Sequence, residues 1–285
     1  MDAFYIIATA ALFAISCGLL GAFLLLRRMA MVGDAIAHAV LPGIVIAFLL
    51  SGSRDAVWMI PGAAALGILT TFLIEFFHEK VGLQTDAAIG VSFTALFALG
   101  IILISVYAGQ IDLDQDCVLY GEIAYIPIDL WITDGGQIMG PRALYVGAAL
   151  LFVNLFFLFA GYRKLQLTTF DPAFAAAAGI SVSLWNYLLM GAVSVTTVAA
   201  FNSVGAILIV ALLVVPPATA YLLTHNLRHM LYLTVVFALL SSFFGYWLAV
   251  LLDGSIAGAI VVCSGLFFGL AWLGKGIRRR TDLVF

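Results

Sequence analysis

Asp34 and His38 stand four residues apart inside an apolar run, MVGDAIAHAVLPGIVIAFLL. A carboxylate at the middle of a membrane-spanning helix costs on the order of 2.5–3.5 kcal/mol, and side chains tolerated there usually face a bundle interior and mark an ion path. Their place in the run puts them nearer one end, where the cost is smaller. Residues four apart share one helical face, so a carboxylate oxygen and a ring nitrogen can meet a single ion. One oxygen and one borderline nitrogen donor suit zinc, manganese or ferrous iron better than sodium, calcium or copper(I). Two ligands do not close a site. Other residues, water or a second copy of the chain must complete the shell, and a symmetric dimer would supply two Asp and two His. The competing reading of the same pair is an interhelical hydrogen bond that locks packing. Pro42 cannot donate to the carbonyl of His38, four residues back. This predicts a freed oxygen that lines the path or is met by water.

Other chemistry-bearing spacings are weaker. His78 and Glu79 begin a zinc-peptidase pattern, but Gly82 stands where the second histidine of H-E-x-x-H belongs, which disfavours an intramembrane metalloprotease. His225 and His229 flank Arg228 in a basic segment, HNLRHM, that reads as a solvated turn. Pro216 and Pro217 fall within VGAILIVALLVVPPATAYLLT and free the carbonyls of Leu212 and Leu213, as a plain kink or as a gating hinge. In LQLTTFDPAFAAAAGI, Asp171 is an N-cap with Pro172 at the first helical position, and Gly179 is a stop. That describes a short Ala-rich helix outside the membrane, either a passive connector or a piece shaped for a partner's groove. Cys17, Cys117 and Cys263 are odd in number and far apart, so neither a disulfide framework nor a thiolate metal site is expected.

These residues are carried by a chain whose main solvent is not water. Of its 285 residues, 65% are hydrophobic and 9% charged. The mean hydropathy is +1.18. Soluble domains are about 25% charged. Nothing suggests nucleic-acid binding. Apolar runs near 4–26, 31–51, 57–77, 87–108, 142–162, 181–200, 203–224, 230–251 and 255–274 predict an all-α bundle of about nine spans, or eight if the sixth and seventh merge. The first run lacks a preceding basic residue and exceeds a signal-peptide core, so it reads as a retained anchor. Such a chain leaves no room for a soluble nucleotide-binding domain, and its energy is expected from another chain or an ion gradient.

The positive-inside bias orients the bundle. With the N-terminus outside and nine alternating spans, Arg27, Arg28, Lys80, Arg163, Lys164, Arg228, Lys275, Arg278, Arg279 and Arg280 are cytoplasmic, and only Arg54 and Arg142 are external. The C-terminus is then cytoplasmic. An external loop of about 110–141 carries Asp112, Asp114, Asp116, Glu122, Asp129 and Asp134, and its apolar centre from Val118 to Trp131 is too short to span. Gly254 with Gly258, and Gly265 with Gly269, form small-xxx-small pairs that would let another helix approach.

Four segments taken together resemble the permease subunits of bacterial ABC transporters for manganese, zinc and iron. They are GDAIAHAVLPG (33–43), TDAAIGVSFTALFALGIILIS (85–105), TFDPAFAAAAGI (169–180) and VGAILIVALLVVPPATAYLLT (204–224), in the family's order and across most of the chain. The departures, Ala37 where the family often has Ser and Pro217 where it often has Ala, leave the implied roles intact. The resemblance implies a single transmembrane permease domain over 1–285, of the vitamin B12/metal-chelate importer type, in the bacterial cytoplasmic (inner) membrane. It implies a dimer with a second permease copy or paralogue, surrounded by membrane lipid. It further implies a cytoplasmic ABC ATPase subunit and an extracytoplasmic metal-binding solute-binding protein. The permease has no catalytic site and no permanently bound cofactor; its cargo is a divalent Mn, Zn or Fe ion. By the same resemblance Asp34 and His38 coordinate that ion. Phe170, Asp171, Pro172, Ala173, Phe174 and Gly179 belong to a coupling helix, about 170–180, that contacts the ATPase. Pro42, Pro216 and Pro217 are candidate gating kinks. On the residues alone, a proton- or sodium-coupled secondary transporter is the alternative, since a membrane-embedded Asp34 serves a proton equally well.

Overall fold

A computed structural model describes residues 2–51, 56–107, 123–132 and 138–281. Cys117, Arg54, Asp112, Asp114, Asp116, Glu122 and Asp134 lie outside them. The architecture is helical: α1 (Asp2–Leu26), α2 (Val32–Ala39), α3 (Leu41–Ser51), α4 (Ala56–Glu79), α5 (Thr85–Tyr107), α6 (Arg142–Phe170), α7 (Pro172–Ala177), α8 (Val182–Val204), α9 (Ala206–Leu223), α10 (Leu227–Leu252) and α11 (Ile256–Thr281). Among the described residues nine segments are long and apolar enough to cross a membrane, with α2 and α3 forming one of them. The sixth and seventh spans, α8 and α9, are separate helices joined through Gly205 alone.

The first helix is the centre of the bundle. α1 packs against α6, α8, α9 and α10, and Phe13, Leu20 and Phe23 are fully buried there. Apolar burial does not separate helix from lipid, so these contacts must be made by close packing. Gly21 supplies the closest. A methyl built on it would sit on the carbonyl oxygen of Leu213, the group that Pro217 frees in α9. α9 nonetheless runs unbroken from Ala206 to Leu223, with Pro216 and Pro217 both buried. The double proline is therefore accommodated by an α1 surface with no side chain at the point of contact.

The second span is divided. Pro42 was expected in a helix interior, but the helix pauses at Val40 and restarts at Leu41, so Pro42 occupies the first turn of α3, where a missing N–H costs little. The Val40 N–H turns toward the carbonyls of both Ile36 and His38. The His38 oxygen that Pro42 cannot serve thus shares a donor with its neighbour.

α6 has 29 residues and is about 44 Å long at 1.5 Å per residue, well beyond a hydrocarbon core of about 30 Å. Such a helix must tilt or extend past the hydrocarbon core, and its C-terminal end leads directly into α7. The connection before α6 folds into a short antiparallel pair, Leu130–Ile132 with Ile138–Pro141, and Ile123 and Ile126 are buried against the bundle. Among the described residues, methyls built on Gly265 or Gly269 of the last span meet nothing within 4 Å, and one built on Gly258 meets only Ser255 of the preceding loop. Close helix contact at that helix comes instead from Gly245 of α10, which faces the Ile260 backbone.

Candidate metal-ion site

Asp34 lies in the first turn of α2 and His38 in its last. Both side chains are 35% exposed, whereas every other residue from Val32 to Val40 is buried. α2 is packed by α4, α5, α8 and α9 on its remaining faces, so the helix leaves open only the face that carries the ionisable pair. His38 Nε2 stands 3.5 Å from Asp34 Oδ1. That is longer than a good N–H···O hydrogen bond. It is close to the separation of about 3.4 Å that two donors at about 2.1 Å from one ion have in a tetrahedral shell. The His38 ring is flanked by Phe93 and Phe97 of α5, with centroids 6.4 and 5.8 Å away. Two aromatic walls leave the imidazole few ways to turn and bring no competing donor.

Among the described residues no group of three or more His, Cys, Asp or Glu gathers to hold a metal. Asp34 and His38 therefore offer an open half-site. His78 is held elsewhere, its Nδ1 2.9 Å from the Leu83 carbonyl oxygen. His225 and His229 are both exposed, but only His225 lies in the turn between α9 and α10, since HNLRHM enters the helix at Leu227 and His229 sits in the first turn of α10. Cys17 and Cys263 are free and buried.

The segment after α6 follows its local code. Asp171 Oδ1 accepts from the Phe174 N–H at 2.9 Å, which caps α7, with Pro172 at the first helical position. α7 stops where Gly179 adopts φ +78 and Ile180 N–H reaches back to the Ala175 carbonyl at 2.9 Å, a Schellman closure that favours glycine. Ala175 is buried beneath the helix, while Phe170 and Phe174 are 58% and 57% exposed.

A polar network went unread in the sequence. Arg27, just past α1, donates from Nε to Thr169 Oγ1 at 3.0 Å, from Nη2 to Thr168 Oγ1 at 2.9 Å, and from Nη1 to Asn186 Oδ1. Asn186 Nδ2 donates to Glu75 Oε1 at 3.1 Å, and Glu75 is 2% exposed. Ser183 Oγ donates to Glu79 Oε1 at 3.2 Å. Burial pulls the Arg27 guanidinium down to about 10, opposed by the Glu75 carboxylate, so it remains charged near neutral pH. The available signal was a Glu and an Asn inside apolar runs, at Glu75 in TTFLIEFF and Asn186 in SLWNYLLM. Asn154 gave the same signal, and its Nδ2 donates to Thr196 Oγ1 at 2.9 Å in the core.

Known proteins share this sequence and fold. The chain is 49% identical over 269 residues to the manganese transport system membrane protein MntD of Bacillus subtilis (strain 168), covering 94% of this chain and 90% of the relative. It is 41% identical over 268 residues to the zinc transport system membrane protein TroD of Treponema pallidum (strain Nichols), covering 94% and 72%. The solved structure of PsaBC from Streptococcus pneumoniae in complex with Fab matches with a TM-score of 0.75 at 31% identity, over 94% of this chain and 89% of that one. Residues 3–274 match the family described as the ABC 3 transport family, and with nearly the whole chain inside that match this membrane protein belongs to it.

Proposed function

We propose that the chain is the membrane-spanning permease of an ATP-driven importer of divalent transition-metal ions, with manganese or zinc as cargo and iron the remaining candidate. The observation that carries this reading is the open pair Asp34 and His38, 3.5 Å apart on the one unpacked face of α2, in a chain of the ABC 3 transport family. Membership of an ABC transport family favours ATP over the ion gradient that the residues alone left open. The permease contributes no covalent chemistry. Hydrolysis belongs to an ATPase subunit, and the ion is delivered by an extracytoplasmic binding protein.

The ten-to-two division of Lys and Arg supports an external N-terminus and a cytoplasmic C-terminus, with the segment of about 110–141 outside. In that orientation the far end of α6, α7 and the Arg27 network all lie at the cytoplasmic face. α7 is the coupling helix: capped by Asp171, started by Pro172, closed by Gly179 and small at Ala173, it presents Phe174, beside Phe170 at the end of α6, to a groove of the ATPase. Conduction demands binding strong enough to strip water and weak enough to release, which suits two protein ligands supplemented by water or by the same pair from a second copy or paralogue. The break at Val40, with Pro42 opening α3, and the Pro216-Pro217 turn of α9 are the positions at which these spans can bend.

Uptake of labelled manganese by cells that lack this chain, restored by the chain and competed by unlabelled zinc or iron, tests the function and ranks the cargo. Return of the chain to those cells with no recovered uptake of any of the three metals overturns it. The coupling role has its own test. Phe174→Ala removes an exposed anchor without touching the core and is expected to weaken ATPase capture by about 2 kcal/mol, roughly 30-fold. Undiminished co-purification of the ATPase with the Phe170→Ala/Phe174→Ala double variant counts against α7 as the contact.

A further inference from the structure

We infer that Arg27 is a positioning residue for transport, the joint through which movement of α7 reaches the helix that walls the ion pair. The inference rests on the import reading and adds to it a route inside the chain. Only Asp171 separates α6 from α7, so any displacement of α7 is felt first in the last turn of α6. That turn carries Thr168 and Thr169, and Arg27 grips the hydroxyls of both. The same guanidinium holds Asn186 of α8, and Asn186 holds Glu75 of α4. Ser183 and Glu79 form a second strut between α8 and α4. α4 in turn packs on α2, where a methyl built on Gly67 would stand 3.5 Å from the Ile36 side chain. Four helices and the base of α7 are thus joined by side-chain bonds that are either made or broken, the kind of element that can hold two discrete arrangements.

The residue types fit a joint better than a simple anchor. Arginine presents five donors in a rigid plane, which lets one side chain hold three acceptors on two elements at once. Lysine, a point charge with rotatable donors, cannot reproduce that grip. The Asn186 amide is polarised along the chain, with its oxygen toward the guanidinium and its nitrogen toward the carboxylate, so flipping it would break both bonds. Arg28 ends α1 in the left-handed region at φ 60, and the Met29 N–H closes back on the Leu24 carbonyl at 2.9 Å. This turn fixes where Arg27 leaves its helix.

The test uses the purified complex of permease and ATPase in proteoliposomes, supplied with the manganese-loaded extracytoplasmic binding protein, measuring manganese imported and ATP hydrolysed in the same sample. Arg27→Lys keeps the charge, and Thr168→Val/Thr169→Val keeps the shape while removing both hydroxyls. Both are expected to hydrolyse ATP within about twofold of the parent per assembled complex while importing about tenfold fewer ions per ATP. An unchanged import ratio in both variants overturns the inference. Failure of both to assemble also overturns it, because the network would then serve packing alone. A parent complex that hydrolyses ATP but imports none of the three metals fails separately, by sinking the import reading itself.

Discussion

Asp34→Ala and His38→Ala are each expected to lower metal uptake by more than about 100-fold while the permease still assembles with its ATPase. Loss of a group that merely supports a metal ligand already costs about 10–100-fold, and here half of the chain's own donor set is removed. Assembly is expected to survive because the two side chains lie on the open face of α2, each 35% exposed, and neither belongs to the fully buried core. Removing a carboxylate from a spanning helix even relieves part of a cost that reaches the order of 2.5–3.5 kcal/mol only at mid-span. Asp34→Asn separates charge from shape: it keeps the oxygen and the size, and its failure to import would show that the ion requires the anion. Normal uptake by both alanine variants would remove the pair from the path.

The second large effect concerns packing. Gly21→Ala is expected to destabilise the folded chain by about 3 kcal/mol, at the upper end of overpacking costs. The added methyl has the Leu213 carbonyl carbon at 2.7 Å and its Cα at 3.1 Å, and backbone cannot rotate away as a side chain can. The oxygen there is the one that Pro217 leaves without its usual donor, so glycine serves twice, by making room and by bringing its Cα hydrogens to a bare carbonyl. Gly269→Ala is the control. It meets nothing within 4 Å and gains up to about 1 kcal/mol of helix propensity. Thermal unfolding in detergent compares the two, and equal midpoints would show that the approach of α1 to α9 is not required.

What the sequence made readable was what depends on near neighbours. Hydropathy marked the nine runs because lipid selects for length and apolarity along a continuous stretch. Asp171, Pro172 and Gly179 marked the ends of α7 because cap and closure are made within a single turn. The facing of Asp34 and His38 followed from helical period alone. Arg27 was read as one more flanking charge, because its acceptors lie 141 to 159 residues away and nothing local announces them. Pro42 was placed inside a helix because the run is uninterrupted in composition, whereas the break at Val40 is a backbone event without a polar residue to mark it. The paired glycines of the last span show a different limit: their spacing is local and legible, but which helix approaches them is a matter of threading that spacing does not encode.

The burial of α1 has a consequence for how this chain is made. Of the described helices α1 is made before the others, yet it finds its tightest partners in α9 and α10, which are made after most of the other spans. At about 5–20 residues per second that wait is on the order of ten seconds or more. Throughout it, a segment with Thr9, Ser16, Gly18 and Gly21 on surfaces meant for protein must stay in the insertion machinery or in lipid that suits it poorly. Cys17, sealed in the finished bundle, would report this interval: a nascent chain stalled before residue 206 should still react there with a thiol probe, and a completed one should not.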